Sequence, residues 1–186
     1  MNGNPFLKLR DRDQSACDDF VQRHYEGLYR WFLSLTRCPE RASDLAQDTF
    51  MGFWQSLQRT MPQAPPHIWL YSIGRNVWRK HCRGRHRQQS QESEALVEEL
   101  TGGDPSPYAV AEQREFTENL AEEVAKLPAD YREALTLRLW QEFDYEEIAA
   151  VQGISRDLAR WRYFRARQLV QARLKNWRLQ EEPQNS

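Results

Sequence analysis

Cysteine is scarce and unpatterned. Cys17, Cys38 and Cys82 are odd in number, widely spaced and without a C-x-x-C pair, which argues against a disulfide framework or a zinc site and fits a reducing compartment. His81 beside Cys82 offers half a ligand set, with no second pair nearby. There is no cationic start followed by an apolar stretch, and no apolar run approaches the roughly 18 residues of a membrane span, so a cytosolic protein without direct membrane binding is expected. No strand candidate of useful length and no repeat is visible. There is also no nucleophile–base–acid set, metal-ligand cluster or phosphate-cradling glycine loop, so neither catalysis nor a cofactor is expected. His24 and His67 read as structural.

What is present is charge, segregated along the chain. The formal net charge is only -1, yet Arg75 to Arg87 carries six Arg or Lys and no acid, and Gln91 to Glu123 carries ten acids against Arg114 alone. Arg156 to Arg178 then returns eight bases against Asp157. Two basic blocks flanking an acidic segment suit a protein that touches a polyanion at two places. Solvated helix faces are the competing explanation for each block.

Apolar periodicity predicts an all-α chain. Gln14 to Arg37 carries Phe20, Leu28, Trp31, Phe32 and Leu35 at helical spacing. Glu40 to Arg59 follows, with Leu45, Phe50, Phe53 and Leu57 on its stripe and Asp44, Gln47, Asp48 and Gln55 off it. Three prolines make Thr60 to Pro66 a loop. A third helix, His67 to Arg83, is expected to turn Trp69, Leu70, Ile73 and Val77 inward and its basic cluster outward. Residues 85–108 lose the stripe and end in a Gly/Pro-rich string, the mark of a linker. The pattern resumes from Ala109 to Pro128, and again from Tyr131 to Trp140 with Ala134, Leu135 and Leu139 on one face. Two small helical domains, 10–84 and 109–178, joined by a flexible acidic linker, are the expected organisation.

The last two helices carry the most specific signal. Asp144 and Glu147 form a D-x-x-E cap before Tyr145 to Gln152, Gly153 sits where a left-handed residue ends that helix, and Ser155 caps the next. This reads as a helix-turn-helix. At 100° per residue Ala159, Tyr163, Ala166 and Val170 face the core, while Asp157, Arg160, Trp161, Phe164 and Arg165 face outward. Trp161 and Phe164 suit contact with thymine methyls or sugars; packing on the first domain is the alternative.

Five strings then occur in order: DLAQDTFMGFW (Asp44–Trp54), WLYSIGRNVWRKHCR (Trp69–Arg83), LPADYREALTLR (Leu127–Arg138), YEEIAAVQGIS (Tyr145–Ser155) and FRARQLV (Phe164–Val170). With them, nearly the whole chain resembles the extracytoplasmic-function sigma factors, the small two-domain branch of the main bacterial sigma family. The resemblance implies that Asp44, Gln47, Asp48 and Phe50 bind core RNA polymerase. It implies that Trp69, Tyr71, Arg75, Asn76, Arg79, Lys80 and Arg83 recognise and melt the minus-ten promoter element, although a core role for Trp69 is at least as good. Arg156, Asp157, Arg160, Trp161, Phe164 and Arg165 would read the minus-thirty-five element. An anti-sigma partner, often membrane-anchored, is implied too, with a monomer when free of partners.

The chain departs from the family where Asp157 and Leu158 replace a usual Gly-Thr and Trp161 a small residue, which puts the expected base contacts in doubt. Ser72 and Gly74 stand for Arg and Ala, and a mid-helix glycine costs about 1 kcal/mol with no gain evident in the sequence. The linker, reaching on the order of 80 Å when extended, would span the polymerase between promoter elements. Neutralising its Glu92, Glu94, Glu98 and Glu99 should then weaken initiation, read as abortive-transcript yield. The competing function is a stand-alone helix-turn-helix regulator, which would bind duplex DNA tightly without polymerase.

Overall fold

A computed structural model describes residues 6–88 and 119–181, and every described element is helical. They are α1 (Phe6–Arg10), α2 (Gln14–Thr36), α3 (Pro39–Leu57), α4 (Pro66–Gln88), α5 (helical over 119–125), α6 (Ala129–Trp140), α7 (Tyr145–Gln152) and α8 (Arg156–Glu181). The acidic residues proposed for the linker, Glu92 to Glu99, lie outside the described residues. Helix α4 continues to Gln88, past Arg83 where the third helix was expected to end.

Local chemistry explains most boundaries. Asp13 Oδ1 accepts from the Ala16 N–H at 2.9 Å to start α2, and Arg37, left-handed at φ 53°, ends it by donating its N–H to Leu33 O. Proline opens α3, where a missing N–H costs nothing. At α7 the capping box is complete: Asp144 Oδ1 accepts from the N–H groups of Glu146 and Glu147, while the Glu147 carboxylate takes the Asp144 N–H. Gly153 closes that helix at φ 64°, and Ser155 Oγ accepts from Leu158 N at 3.3 Å. Asp144→Ala, which leaves the N–H groups of Glu146 and Glu147 to water, is expected to cost about 1 kcal/mol of unfolding free energy in a urea titration. An unchanged midpoint would show that the cap is redundant.

In the first unit α2, α3 and α4 enclose Leu28, Trp31, Phe32, Phe53, Leu57 and Leu70, all essentially fully buried. Gly74 now has a reason. A Cβ there would stand 3.1 Å from the Trp31 ring and 3.2 Å from Phe32, so its absence lets α4 approach α2. In the second unit Val124, Leu127, Leu135, Tyr163, Ala166 and Val170 form a separate core, and Ala159 is fully buried as well.

The two units pack together: α6 lies against α2 and α7 against α4. Ala134, Leu137, Phe143, Ile148 and Ala149 of the second unit extend the first unit's core. This sandwiching corrects the reading of α6. Residues Glu133 to Leu137 are all buried because the helix has neighbours on both sides, whereas Leu139, expected inward, is 56% exposed near its end.

His24 sits beside the joint, its ring 4.6 Å from Phe20 and stacked 6.2 Å from His67. Burial first, then His67 and Arg23, lower its pKa from 6.5 to about 4. Because the folded value is the lower one, the neutral ring's contribution is present in full above pH 6.5 and is lost as the pH falls toward 4. The urea midpoint should therefore fall on acidification through that window, and by less in His24→Gln. An equal fall in both proteins would assign the effect to another group.

Candidate nucleic-acid interface

Three helices carry the side chains singled out above. On α3, Asp44, Gln47 and Asp48 are exposed along one strip. Met51, 54% exposed, and Gln55 continue it at helical spacing; Met51 was missed, although its position seven residues after Asp44 placed it there. Phe50 does not belong to the strip. It is 7% exposed, its ring 6.4 Å from those of Phe20 and Tyr25, so it packs the core.

The α4 residues divide. Asn76, Arg79, Lys80 and Arg83 are exposed at spacings of three and four, one continuous face. Trp69 is half-buried, its indole N–H donating to Ser56 Oγ at 3.0 Å, which favours the packing role left open above. Tyr71 and Arg75, expected on the DNA side, are 2% and 7% exposed. The reason is the second unit, which lies over them.

On α8 all six expected residues, Arg156, Asp157, Arg160, Trp161, Phe164 and Arg165, are exposed. The aromatics do not pack on the first unit. Trp161, 54% exposed, meets Tyr131 edge to face at 5.7 Å, and Phe164 lies against Tyr163 and Tyr145 with the Arg160 guanidinium 5.6 Å from its ring. Arg160 and Phe164 thus form one cationic and aromatic surface. Arg156 has an exposed ion-pair contact with Glu146 at 3.6 Å.

Beside the apolar core that the two units share, the joint between them holds a cluster of polar contacts. Arg75 Nε donates to Glu133 Oε2 at 2.7 Å, and Asp130 accepts from Arg79 at 2.6 Å and pairs with Arg162 at 2.9 Å. Gln152 bridges Glu133, the Asp130 carbonyl and Arg162. Burial pushes the Glu133 carboxyl above the usual carboxylate range, with Arg75 as the main opposing influence. Elsewhere Tyr71 OH donates to Gln141 Oε1 at 2.5 Å, Gln141 donates to Gly27 O, Arg132 donates to Leu35 O, and His67 meets Glu147 at 3.1 Å. Sequence reasoning found none of these partners. Arg162 is one residue from Trp161 yet turns inward, because it stands three residues after Ala159 and four before Ala166 on the core side.

Among the described residues no group of three or more His, Cys, Asp or Glu side chains is placed to hold a metal ion, and no helix is long and apolar enough to cross a membrane. Chemically, the exposed faces offer charge pairing, hydrogen bonding and aromatic contact.

Comparison with known proteins accounts for both units. Residues 20–88 match the family Sigma-70 region 2, and residues 117–170 match Sigma-70, region 4. The ECF RNA polymerase sigma factor SigM of Bacillus subtilis is 32% identical over 84% of this chain and 94% of its own length. RNA polymerase sigma factor CnrH of Cupriavidus metallidurans is 32% identical over 87% of this chain and 88% of its own length. Among solved structures, the sigma factor RpoE in complex with the anti-sigma factor NepR from Bartonella quintana overlays with a TM-score of 0.63 at 29% identity, covering 84% of this chain and 97% of that one. CnrH in complex with the cytosolic domain of CnrY shares the fold, with a TM-score of 0.69 at 24% identity over 93% and 97% of the two chains. Matched in both units, in order, and aligned with relatives across most of both lengths, the chain belongs to the extracytoplasmic-function sigma factors of RNA polymerase.

Proposed function

We propose that this sigma factor works through three separate faces. The α3 strip of Asp44, Gln47 and Asp48, extended by Met51, docks on core RNA polymerase. The α4 face of Asn76, Arg79, Lys80 and Arg83 holds the melted minus-ten strand, joined by Arg75 and Tyr71 once they are uncovered. The α8 face reads the minus-thirty-five element. The supporting observation is the α8 surface itself: Arg156, Arg160 and Arg165 flank exposed Trp161 and Phe164 on a helix entered through a capped, left-handed turn at Gly153. Cations there supply phosphate attraction, and the forked guanidiniums and flat rings supply base readout.

In this reading the domains are residues 10–84 and 109–178, the chain has no catalytic site or cofactor of its own, and it acts in the cytoplasm where polymerase is. Two of the solved relatives are bound by an anti-sigma factor or a partner's cytosolic domain. A protein partner of the same kind, soluble or membrane-anchored, is the proposed inhibitor of this chain, which is otherwise monomeric. A stand-alone regulator is disfavoured because both units, and not the helix-turn-helix alone, match the sigma family.

Run-off transcription on a library of genomic fragments tests the proposal. Specific transcripts should need both this chain and core polymerase, and the free chain should shift duplex promoter DNA only weakly. Tight duplex binding without polymerase, combined with no transcript, would replace the proposal with the regulator. Within the same assay, Arg160→Ala should lower promoter-specific output roughly tenfold or more, the cost of about 1–3 kcal/mol for losing a good base contact. A loss equal on all promoters would reassign Arg160 to phosphate.

A further inference from the structure

Helices α1 and α2 and the end of α3 border an open cavity of about 430 Å³ that lies apart from the α4 and α8 faces. The less exposed part of its lining is apolar: Leu9 of α1, Cys17 and Val21 of α2, and Trp54 of α3. Arg12 and Asp18 stand on its rim, both exposed. The walls are fixed from behind. Leu9 is 5% exposed, Gln58 Nε2 donates to Arg10 O at 3.2 Å, and the Trp54 indole meets Phe20 and Phe53 edge to face. Small-molecule sites are pre-formed clefts of about 300–1,000 Å³, a range that includes this one. Leu9, Arg12, Cys17 and Asp18 precede residue 20, where the match to Sigma-70 region 2 begins, so most of this wall is not what carries the family likeness.

The rim charges define what fits. Asp11 is engaged by Arg10 and Asp13 caps α2, whereas Arg12 and Asp18 have no ion-pair partner among the described residues. Gln14 Nε2 donates to both oxygens of Asp18, at 2.9 and 3.0 Å, which holds the carboxylate in place without neutralising it. Both charges reach the same wall. Burial first, then Asp13 and Asp18, raise the Cys17 thiol pKa, and Arg12 opposes them, so Cys17 stays uncharged and serves as apolar lining. A ligand with a single charge meets one attraction and one repulsion here, while a ligand with both signs meets two attractions. We propose that the cavity binds an α-amino acid zwitterion with a large apolar side chain, its carboxylate at Arg12, its ammonium at Asp18 and its side chain against Leu9, Val21 and Trp54. Gln58, seven residues after Met51, also lines the cavity, so on the reading of α3 given above an occupant borders the polymerase-docking strip.

The test uses the full chain and reads how fast iodoacetamide alkylates each of its three cysteines, by mass spectrometry of the peptides. Cys17 lines the cavity and Cys38 and Cys82 do not, so those two report any general effect. Polymerase is absent, which makes the result independent of the docking strip. L-Phenylalanine, with roughly a dozen heavy atoms, should reach a Kd of about 1 mM. At about 10 mM it should then slow Cys17 about tenfold by occupancy alone and leave the other two unchanged. Glycine, which lacks the side chain, should protect far less. Phenethylamine lacks the carboxylate and phenylpropionate lacks the ammonium; each should bind about threefold more weakly, the scale of an exposed ion pair. Arg12→Gln should erase the preference over phenethylamine, and Asp18→Asn the preference over phenylpropionate. Both residues are exposed, so the unfolding midpoint should hardly move.

No slowing of Cys17 overturns the proposal, as does equal slowing of all three cysteines. Phenethylamine or phenylpropionate matching phenylalanine on the unaltered chain also overturns it, because one rim charge is then idle. Preferences that survive in both variants remove Arg12 and Asp18 from the site, and the proposal falls with them. Should a variant lose helix by circular dichroism, the four probes on the unaltered chain decide alone.

Discussion

Trp31→Ala should lower the unfolding free energy by about 3–5 kcal/mol, the range for removing a fully buried tryptophan. Trp31 is wholly inaccessible, lies 5.1 Å from the Phe32 ring and 5.3 Å from Tyr71, and faces the side of α4 that Gly74 leaves bare. No neighbouring side chain stands ready to fill the void, since the glycine has none. One term works the other way. The indole N–H is buried without an acceptor, a defect that costs about 1–3 kcal/mol and disappears with the ring. Trp31→Phe separates the two effects: it keeps most of the apolar contact, removes the unsatisfied donor, and is expected to stay within about 1 kcal/mol of wild type. Urea titrations followed by circular dichroism would measure both. An alanine variant as stable as wild type would refute the packing of α2 on α4.

Asp44→Ala combined with Asp48→Ala should weaken association with core polymerase by a hundredfold or more, on the scale of about 2–5 kcal/mol for truncating one member of a desolvated charge pair. Both carboxylates are exposed on α3, so the unfolding midpoint should hardly move. Phe50→Ala is the contrasting control. Its ring is buried, and its loss should appear first as instability and only secondarily as weaker binding. Titration of labelled chain with core enzyme reads the first effect. Unchanged affinity in the double aspartate variant would remove α3 from the proposed contact.

The helices were legible because their signals are local. Period, proline and caps place α2, α3, α6 and α7 within a few residues, and α7 agrees at both ends because Asp144 and Gly153 are chemically specific. Helix α1 was missed, since five residues are too few to display a period. The turn of α4 was misjudged for a different reason. Trp69, Ile73 and Val77 form one apolar stripe, but Ile68, Tyr71, Arg75 and Trp78 form a second, and charge alone was used to send Arg75 outward. Its partner Glu133 lies 58 residues away, beyond any local rule. In the proposed site, exposure on α8 followed directly from the alternation of Ala159, Tyr163, Ala166 and Val170 with charge. The joint between units did not, because a charged side chain reads as solvated until the opposing charge is known.

The start of α7 has a further implication. Glu147 uses one carboxylate oxygen to close its own helix and the other to meet His67 across the joint. Severing the second contact leaves the first untouched, and the left-handed corner at Gly153 and the packing of Tyr163 and Ala166 also lie inside the second unit. On the function proposed above, the promoter-reading head therefore carries its capped start and left-handed corner within itself. Its entropy of assembly was spent when the chain folded, so little is deducted from the free energy of contact with the groove.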